Sequence, residues 1–101
     1  MSKYYYDKNG QLWQKGNWKD GIQDGLWVYY DDDGQLESKG NYKDGKKDSL
    51  WKYYHANGQL AEKVNFKDGI QDGLWEHFSS DGQLFATYYV TNGRIKPKKD
   101  N

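Results

Sequence analysis

The strongest constraint on the fold is an internal repeat with a period of 24 residues. A Gly-Gln-Leu triplet, a Leu-Trp pair and an Asp/Asn-Gly pair each recur at this spacing, which predicts one supersecondary unit per repeat. The units span 5–28, 29–52, 53–76 and 77–100, the last of them a divergent C-terminal cap. The structural repeat positions are Gly10, Gly34, Gly58 and Gly82; Leu26, Leu50 and Leu74; Trp27, Trp51 and Trp75; and Gly21, Gly45 and Gly69.

Turn residues and alternation predict that each unit is a β-hairpin. The segments 7–10, 31–34, 55–58 and 79–82 end in glycine and suit a type I turn whose last residue has positive φ. In the following strand, Leu36, Ser38, Gly40 and Tyr42 alternate with polar residues and therefore share one face. We expect residues 43–49 to form a connection to a strand that begins at Leu50. A helix is excluded because Gly, Asn or Asp interrupts every stretch.

These units predict an all-β fold, a single domain over 1–101 built as one elongated sheet of stacked antiparallel β-hairpins. Such a sheet has two open edges. Ser2-Lys3 at one end and Lys98-Lys99 after Pro97 at the other stand in the Leu-Trp register, and polar residues there discourage edge-to-edge growth. Tyr4-Tyr5-Tyr6 could still pair with a second copy of the chain, so a homodimer through open edges is one expectation.

Composition removes several classes of function. Fifteen basic and fifteen acidic residues cancel, so no overall field favours nucleic acid, and we expect no nucleic-acid partner. The chain has no cysteine, which excludes disulfides and thiolate zinc sites. The N-terminus lacks an apolar signal core. The sequence as written therefore predicts a cytoplasmic protein, or a secreted one if a leader was removed, and leaves the compartment open.

The segment from Gly40 to Tyr54, with its Lys-Asp-Gly turn and its Leu-Trp pair, resembles the MORN (membrane occupation and recognition nexus) repeat. The similarity is to the second variant of this repeat, found in bacterial proteins labelled antitoxin components. The usual His-Gly of the family is replaced by Asp24-Gly25, Asp48-Ser49 and Asp72-Gly73. The resemblance implies an interaction or scaffolding module, sometimes associated with phospholipid, and not an enzyme.

No pattern of catalytic or metal-ligating residues recurs among the units. His55 and His77 are the only histidines, and we interpret them as surface or turn residues. Asp31-Asp32-Asp33-Gly34 lacks the glutamate that completes a calcium loop, so turn formation explains it better. We therefore expect no catalytic residue, no metal ligand and no cofactor.

The candidate binding face combines exposed aromatic and basic residues. Trp27, Trp51 and Trp75 are expected to pack between units, whereas Trp13 occupies the position of Glu37 and Ala61 and is the better candidate for an exposed contact. The lysines at 24-residue spacing form a row that we interpret mainly as a solvated face. The candidate residues are Trp13, Tyr29, Tyr53, Lys15, Lys39 and Lys63.

Three functional hypotheses remain open. The first is a protein-interaction module, antitoxin-like or immunity-like, that presents Tyr, Trp, Asn and Lys to a protein partner. The second is binding of a glycan, a cell-wall polymer or a phospholipid, because Leu-Trp-Lys-Tyr-Tyr at 50–54 is similar to the aromatic hairpins of choline-binding and cell-wall-binding repeats. The third is a regular or fragmentary repeat array without a ligand of its own.

Overall fold

Nine antiparallel strands form one open sheet in the computed structural model of the chain, which describes residues 1–96. Neighbours in the sheet are neighbours in sequence, and residues 1–96 contain no helix and hence none able to cross a membrane. The predicted all-β single sheet is confirmed. The strands are β1 Ser2–Tyr6, β2 Leu12–Lys19, β3 Ile22–Tyr30, β4 Leu36–Lys43, β5 Lys46–Tyr54, β6 Leu60–Lys67, β7 Ile70–Phe78, β8 Leu84–Thr91 and β9 Arg94–Ile95.

Every hairpin at one end of the sheet turns on two residues, and this corrects the expected connection over 43–49. Asp44 and Gly45 have φ of 52° and 79°, the combination of a type I′ turn, so β5 resumes at Lys46 instead of Leu50. The twist of a type I′ turn matches that of the flanking strands, which lets pairing begin at once. The Asp-Gly pair is thus the whole connection.

At the opposite end, four-residue turns close on glycine as predicted. The amide of each terminal glycine donates to the carbonyl of the first turn residue at 2.9–3.0 Å. Their φ values of 79–92° are available to glycine at little cost. In the acidic turn, one carboxylate oxygen of Asp31 accepts the amides of Asp33 and Gln35, each at 2.9 Å. The aspartate therefore stabilises the turn.

A β-bulge follows the type I′ turns before β3, β5 and β7, where residues of the longer strand have no partner in the preceding strand. In β5 the register shifts between Gly40 and Asn41, and Ser49 takes φ of 63°. The equivalent residues are Gly25 and Gly73, with φ of 71° and 112°. Ser49 alone of these three bulge residues carries a side chain in the left-handed region.

Most of the core lies on one face of the sheet, where tryptophan rings cover glycines of the preceding strand. Trp27 lies opposite Gly16 and Trp51 opposite Gly40, and a Cβ on either glycine would overlap the ring. The two rings are 0% and 1% exposed. The indole N–H of Trp51 donates to the carbonyl of Asn41 at 2.9 Å. The absence of a side chain therefore creates the tryptophan site.

Trp75 departs from this pattern because Val64 occupies the glycine position opposite it. Trp75 is half-buried, and its indole N–H donates at 2.8 Å to a carboxylate oxygen of Glu62 and not to a backbone carbonyl. Val64 itself is 5% exposed. The predicted packing of the three tryptophans is therefore complete for Trp27 and Trp51 and partial for Trp75.

The two ends of the sheet differ. Lys3 of β1 lies opposite Gly16, so it holds the register of Trp27, as predicted for a polar end. Pro97, Lys98 and Lys99, the predicted polar residues of the other end, lie outside the described residues. β9 pairs only with Val90 and Thr91 of β8. The single layer measures 54 × 34 × 15 Å, which leaves both faces close to solvent.

Candidate functional site

The six candidate binding residues do not share one surface. Tyr29 and Tyr53 lie on the aromatic face, defined by Trp18, Tyr29, Tyr42, Trp27, Trp51, Tyr53, Phe66 and Trp75. Trp13 and the three lysines lie on the opposite side. We call this side the lysine face; it is defined by Trp13, Lys15, Val28, Tyr30, Lys39, Lys52, Tyr54, Lys63, Glu76 and Phe78.

On the aromatic face, Tyr29 contributes to packing between units. Its ring lies 6.3 Å from Trp27 and 6.2 Å from Trp51, and its hydroxyl is 2.9 Å from that of Tyr42. Burial, together with this hydrogen bond, raises the pKa of Tyr42 above its ordinary value. Tyr29 thus joins two repeats within the core.

Tyr53 belongs to an aromatic cage that is occupied by a lysine of the same chain, Lys47. The ammonium of Lys47 lies 4.6 Å from the ring of Trp51, 5.2 Å from Phe66 and 5.6 Å from Tyr53, and it donates to the Tyr53 hydroxyl at 3.0 Å. Such contacts are favourable when the cation is partly desolvated. Lys47 does not recur in the repeat and therefore carries no sequence signal, since the equivalent residues are Gln23 and Gln71.

On the lysine face, the structure adds Lys52 to the predicted lysines. Lys39 pairs with Lys52 across β4 and β5, and Lys52 pairs with Lys63 across β5 and β6. These three residues, the lysine row, stand on adjacent strands about 4.8 Å apart. Without Lys52, the neighbouring lysines Lys39 and Lys63 would be separated by the whole of β5, about 10 Å. The 24-residue spacing alone could not reveal Lys52, because Val28 and Glu76 occupy the equivalent positions.

Aromatic side chains hold three of the lysines in the same arrangement. The ammonium groups of Lys15, Lys39 and Lys63 lie 5.9–6.0 Å from the ring centres of Tyr30, Tyr54 and Phe78, respectively. These are cation–π distances. Within residues 1–96, the one contact under 4 Å between a basic side chain and a carboxylate joins His77 to Glu62 on the aromatic face, so the charges of the lysine row have no carboxylate partner there.

Trp13 lies beside an acidic notch near one end of the lysine face. The side chain is 44% exposed, so the expected exposure is confirmed, while its role in binding stays a prediction. The notch has a volume of about 410 Å³ and is lined by Asp7, Trp13, Tyr30, Asp31, Asp32 and Glu37. An exposed indole beside carboxylates suits a small polar ligand or a basic side chain.

Both histidines have structural contacts. The His55 ring nitrogen Nε2 lies 2.8 Å from the carbonyl oxygen of Phe78, which ties two neighbouring turns together. His77 packs against Trp75 at 4.5 Å and is half-buried, so the interpretation of it as a surface or turn residue was wrong. Residues 1–96 contain no group of three His, Asp or Glu side chains that could hold a metal ion.

Comparison with known proteins gives one match. The family model described as a MORN repeat variant matches residues 3–20, 23–44 and 47–68, which together make up more than half of the chain. No curated protein and no solved structure matches this chain. The match spans the strands that carry Trp27, Trp51 and the lysine row.

Proposed function

This chain belongs to the MORN repeat variant family, and from that premise we propose that it is a non-catalytic module whose lysine face binds a protein partner. Repeats of this family are commonly interaction or membrane-binding modules. The observation that carries the proposal is that the two faces of the sheet differ in burial and charge. The aromatic face encloses most of the core, whereas on the lysine face the lysine row has no carboxylate within 4 Å among residues 1–96 and Trp13 is exposed.

The composition of the lysine face supports a protein interface. Leu26 is 54% exposed and Leu50 is 38% exposed on the same side as the lysines. Exposed aromatic and aliphatic side chains among polar groups are the usual composition of an interaction patch. The structural contacts of His55 and His77 account for both histidines without a catalytic role.

The specific form of binding that the sequence resemblance favours is inhibition of the partner, as in an antitoxin or immunity protein. A sheet 15 Å thick can lie flat against another protein and cover its active surface. Such an inhibitor needs affinity more than chemistry of its own, and buried Trp or Tyr anchors supply most affinity in interfaces. Trp13 is the anchor we propose.

A glycan is the second candidate ligand, because the notch beside Trp13 combines an exposed ring with four carboxylates. Polar groups that converge around an aromatic wall are typical of sites for small polar ligands. This alternative places the ligand in the notch, whereas a protein partner would also cover the neighbouring lysines.

The proposal is tested by affinity capture from lysate of the source cells with wild type, Trp13→Ala and a control, Ile70→Lys. Alanine and lysine are the residues that the chain itself uses at the equivalent positions 61 and 46. We expect one protein to be retained by wild type and Ile70→Lys and lost with Trp13→Ala, all three being folded by circular dichroism. Retention of cell-wall polysaccharide with no protein would instead support the glycan.

A further inference from the structure

The lysine row carries an inference about the chemistry of the partner, and it rests on the proposed function. We propose that Lys39, Lys52 and Lys63 bind an acidic segment of the partner protein, with Asp or Glu carboxylates seated across β4, β5 and β6. The binding site is then the middle of the lysine face, and the segment crosses the strands.

The charges of the lysine row stand side by side in the sheet. Lys39, Lys52 and Lys63 are directly opposite one another on three adjacent strands, and like charges in that position destabilise a sheet. Within the part of the chain that the structure describes, the one contact under 4 Å between a basic side chain and a carboxylate, His77 with Glu62, lies on the other face. An anionic partner would therefore relieve a repulsion that the free sheet retains.

The spacing of the lysine row lets one extended segment contact several of its ammonium groups. Carboxylates on alternate residues of an extended chain are about 6.6 Å apart. The lysines stand about 4.8 Å apart across the strands, and each ammonium sits on a flexible four-carbon stem. Two or three carboxylates of one segment can therefore contact the row together, and the exposed Leu50 beside it can cover apolar atoms of the same segment.

The width of the row favours a narrow segment over a broad anionic surface. Glu76 lies opposite Lys63, and Glu37 lies two residues from Lys39 in the same strand, so carboxylates border the row at one end and along one side. A flat anionic membrane would meet these carboxylates as well. A single acidic segment need contact only the lysines.

Nucleic acid fits less well. Lys39 and Lys63 already lie over the rings of Tyr54 and Phe78, so these rings are not free platforms on which bases could stack. The formal net charge of the chain is zero, which provides no general attraction for a polyphosphate backbone. Carboxylates of a protein segment need neither feature.

Lys52 provides the decisive test, because the equivalent residues Val28 and Glu76 show that the position tolerates other side chains. The probe is a fluorescein-labelled synthetic peptide of alternating Glu and Ser, measured by fluorescence anisotropy at low salt. The test variant is Lys52→Glu. The matched control is Lys46→Glu, the same charge change on the same strand and face, about 20 Å away along the strand.

We expect Lys52→Glu to weaken peptide binding at least about tenfold and Lys46→Glu to change it by less than about twofold. Lys52→Glu should also shift the urea unfolding midpoint upward, because it places a carboxylate between two lysines. Weaker binding by a more stable variant cannot result from unfolding.

The assignment is overturned if wild type does not bind the peptide, or if Lys52→Glu and Lys46→Glu bind alike. It is also overturned if Lys52→Glu abolishes binding to phosphatidylserine vesicles and leaves peptide binding unchanged. Capture of the natural partner separates this proposal from the previous one: a partner lost with Trp13→Ala and retained by Lys52→Glu supports the interaction module and contradicts the role of the lysine row.

Discussion

At the scale of single residues, the core depends on glycines, whose lack of a side chain leaves room for tryptophan rings. Gly40 leaves the space into which Trp51 packs, and Val64 removes the same space in front of Trp75. The consequence is visible in the hydrogen bonds, since Trp51 reaches the backbone of Asn41 and Trp75 reaches only the side chain of Glu62. One position in each repeat therefore decides how deeply its tryptophan is buried.

Gly40→Val is expected to destabilise the protein by about 1–3 kcal/mol, because the new side chain overlaps Trp51 and overpacking has that cost. Valine is better than glycine in a strand by at most about 1 kcal/mol, so the overlap dominates. Urea unfolding measures the loss, and tryptophan emission should shift to longer wavelength. The reciprocal Val64→Gly should shift emission to shorter wavelength. Unchanged stability of Gly40→Val would contradict this account.

The Tyr42 hydroxyl makes stability sensitive to alkaline pH. Its folded-state pKa is raised from 10.0 by burial and by the hydrogen bond to Tyr29. The unfolded chain therefore loses this proton first, and the stabilising effect of neutral Tyr42 is complete below pH 10 and declines as the pH rises above it. Tyr42→Phe, the side chain present at Phe66, removes that decline.

We expect wild type to lose more stability than Tyr42→Phe between pH 9 and pH 11, measured as the change in urea midpoint for each protein. Tyr42→Phe should be less stable at neutral pH, because the hydroxyl of Tyr29 then loses a partner. Parallel decline of the two proteins above pH 10 would show that Tyr42 does not control the effect.

At the scale of the elements, the bulge in β5 carries backbone strain that the other two bulges avoid. Ser49 has φ of 63°, whereas glycine occupies this position in β3 and β7. Ser49→Gly should therefore stabilise the protein by roughly 0.5–1 kcal/mol in spite of the greater freedom of glycine in the unfolded chain. Thermal unfolding checks the rise, and the reciprocal Gly25→Ser should lower the melting temperature. A lower melting temperature for Ser49→Gly would contradict the strain.

Within the described residues, the outer side of β8 forms one open edge of the sheet. The segment Leu84–Thr91 has no charged residue, Phe85 and Tyr89 are 67% and 63% exposed, and within residues 1–96 no strand covers 84–88 on the outer side. Uncharged open edges favour pairing with another strand. We propose that this edge pairs with a second copy of the chain. A homodimer through open edges was expected from the sequence at Tyr4-Tyr5-Tyr6, and the β8 edge is the other open end of the sheet.

Thr87→Lys should reduce self-association, because lysine on an edge strand opposes pairing, and lysine is the residue at the equivalent positions 15, 39 and 63. Sedimentation velocity over a range of protein concentrations measures the change. The control is Thr91→Lys, which adds the same charge where β9 already pairs. Equal association of wild type and Thr87→Lys would exclude the β8 edge as the contact.

At the scale of the whole molecule, every strand pairs only with its neighbours in sequence, so stability is a sum of local terms along the sheet. The largest buried side chains, Trp27 and Trp51, lie in β3 and β5. Amide hydrogen exchange should therefore be slowest in β3–β5 and faster toward β1 and β8. Uniform protection in all strands would indicate a single cooperative unit. Gly40→Val should lower protection mainly in the centre.

The 24-residue period and its turn residues determined most of the fold in advance. Alternation placed Ser38 and Gly40 on the buried face and Trp13 on the exposed one, because strand periodicity is a local property of the chain. The two-residue turn at Asp44-Gly45 could also have been predicted from the sequence, since Asp-Gly is a known signal for a type I′ turn. The longer connection expected there missed that signal.

Only the tertiary structure decided which residues meet. Tyr29 and Lys39 repeat at the same period, yet they face opposite sides of the sheet, and Lys52 joins the lysine row although its equivalents are Val28 and Glu76. Repeats reveal which positions are equivalent between units. They do not show which positions of different strands lie side by side, because that depends on the register set by the bulges and turns.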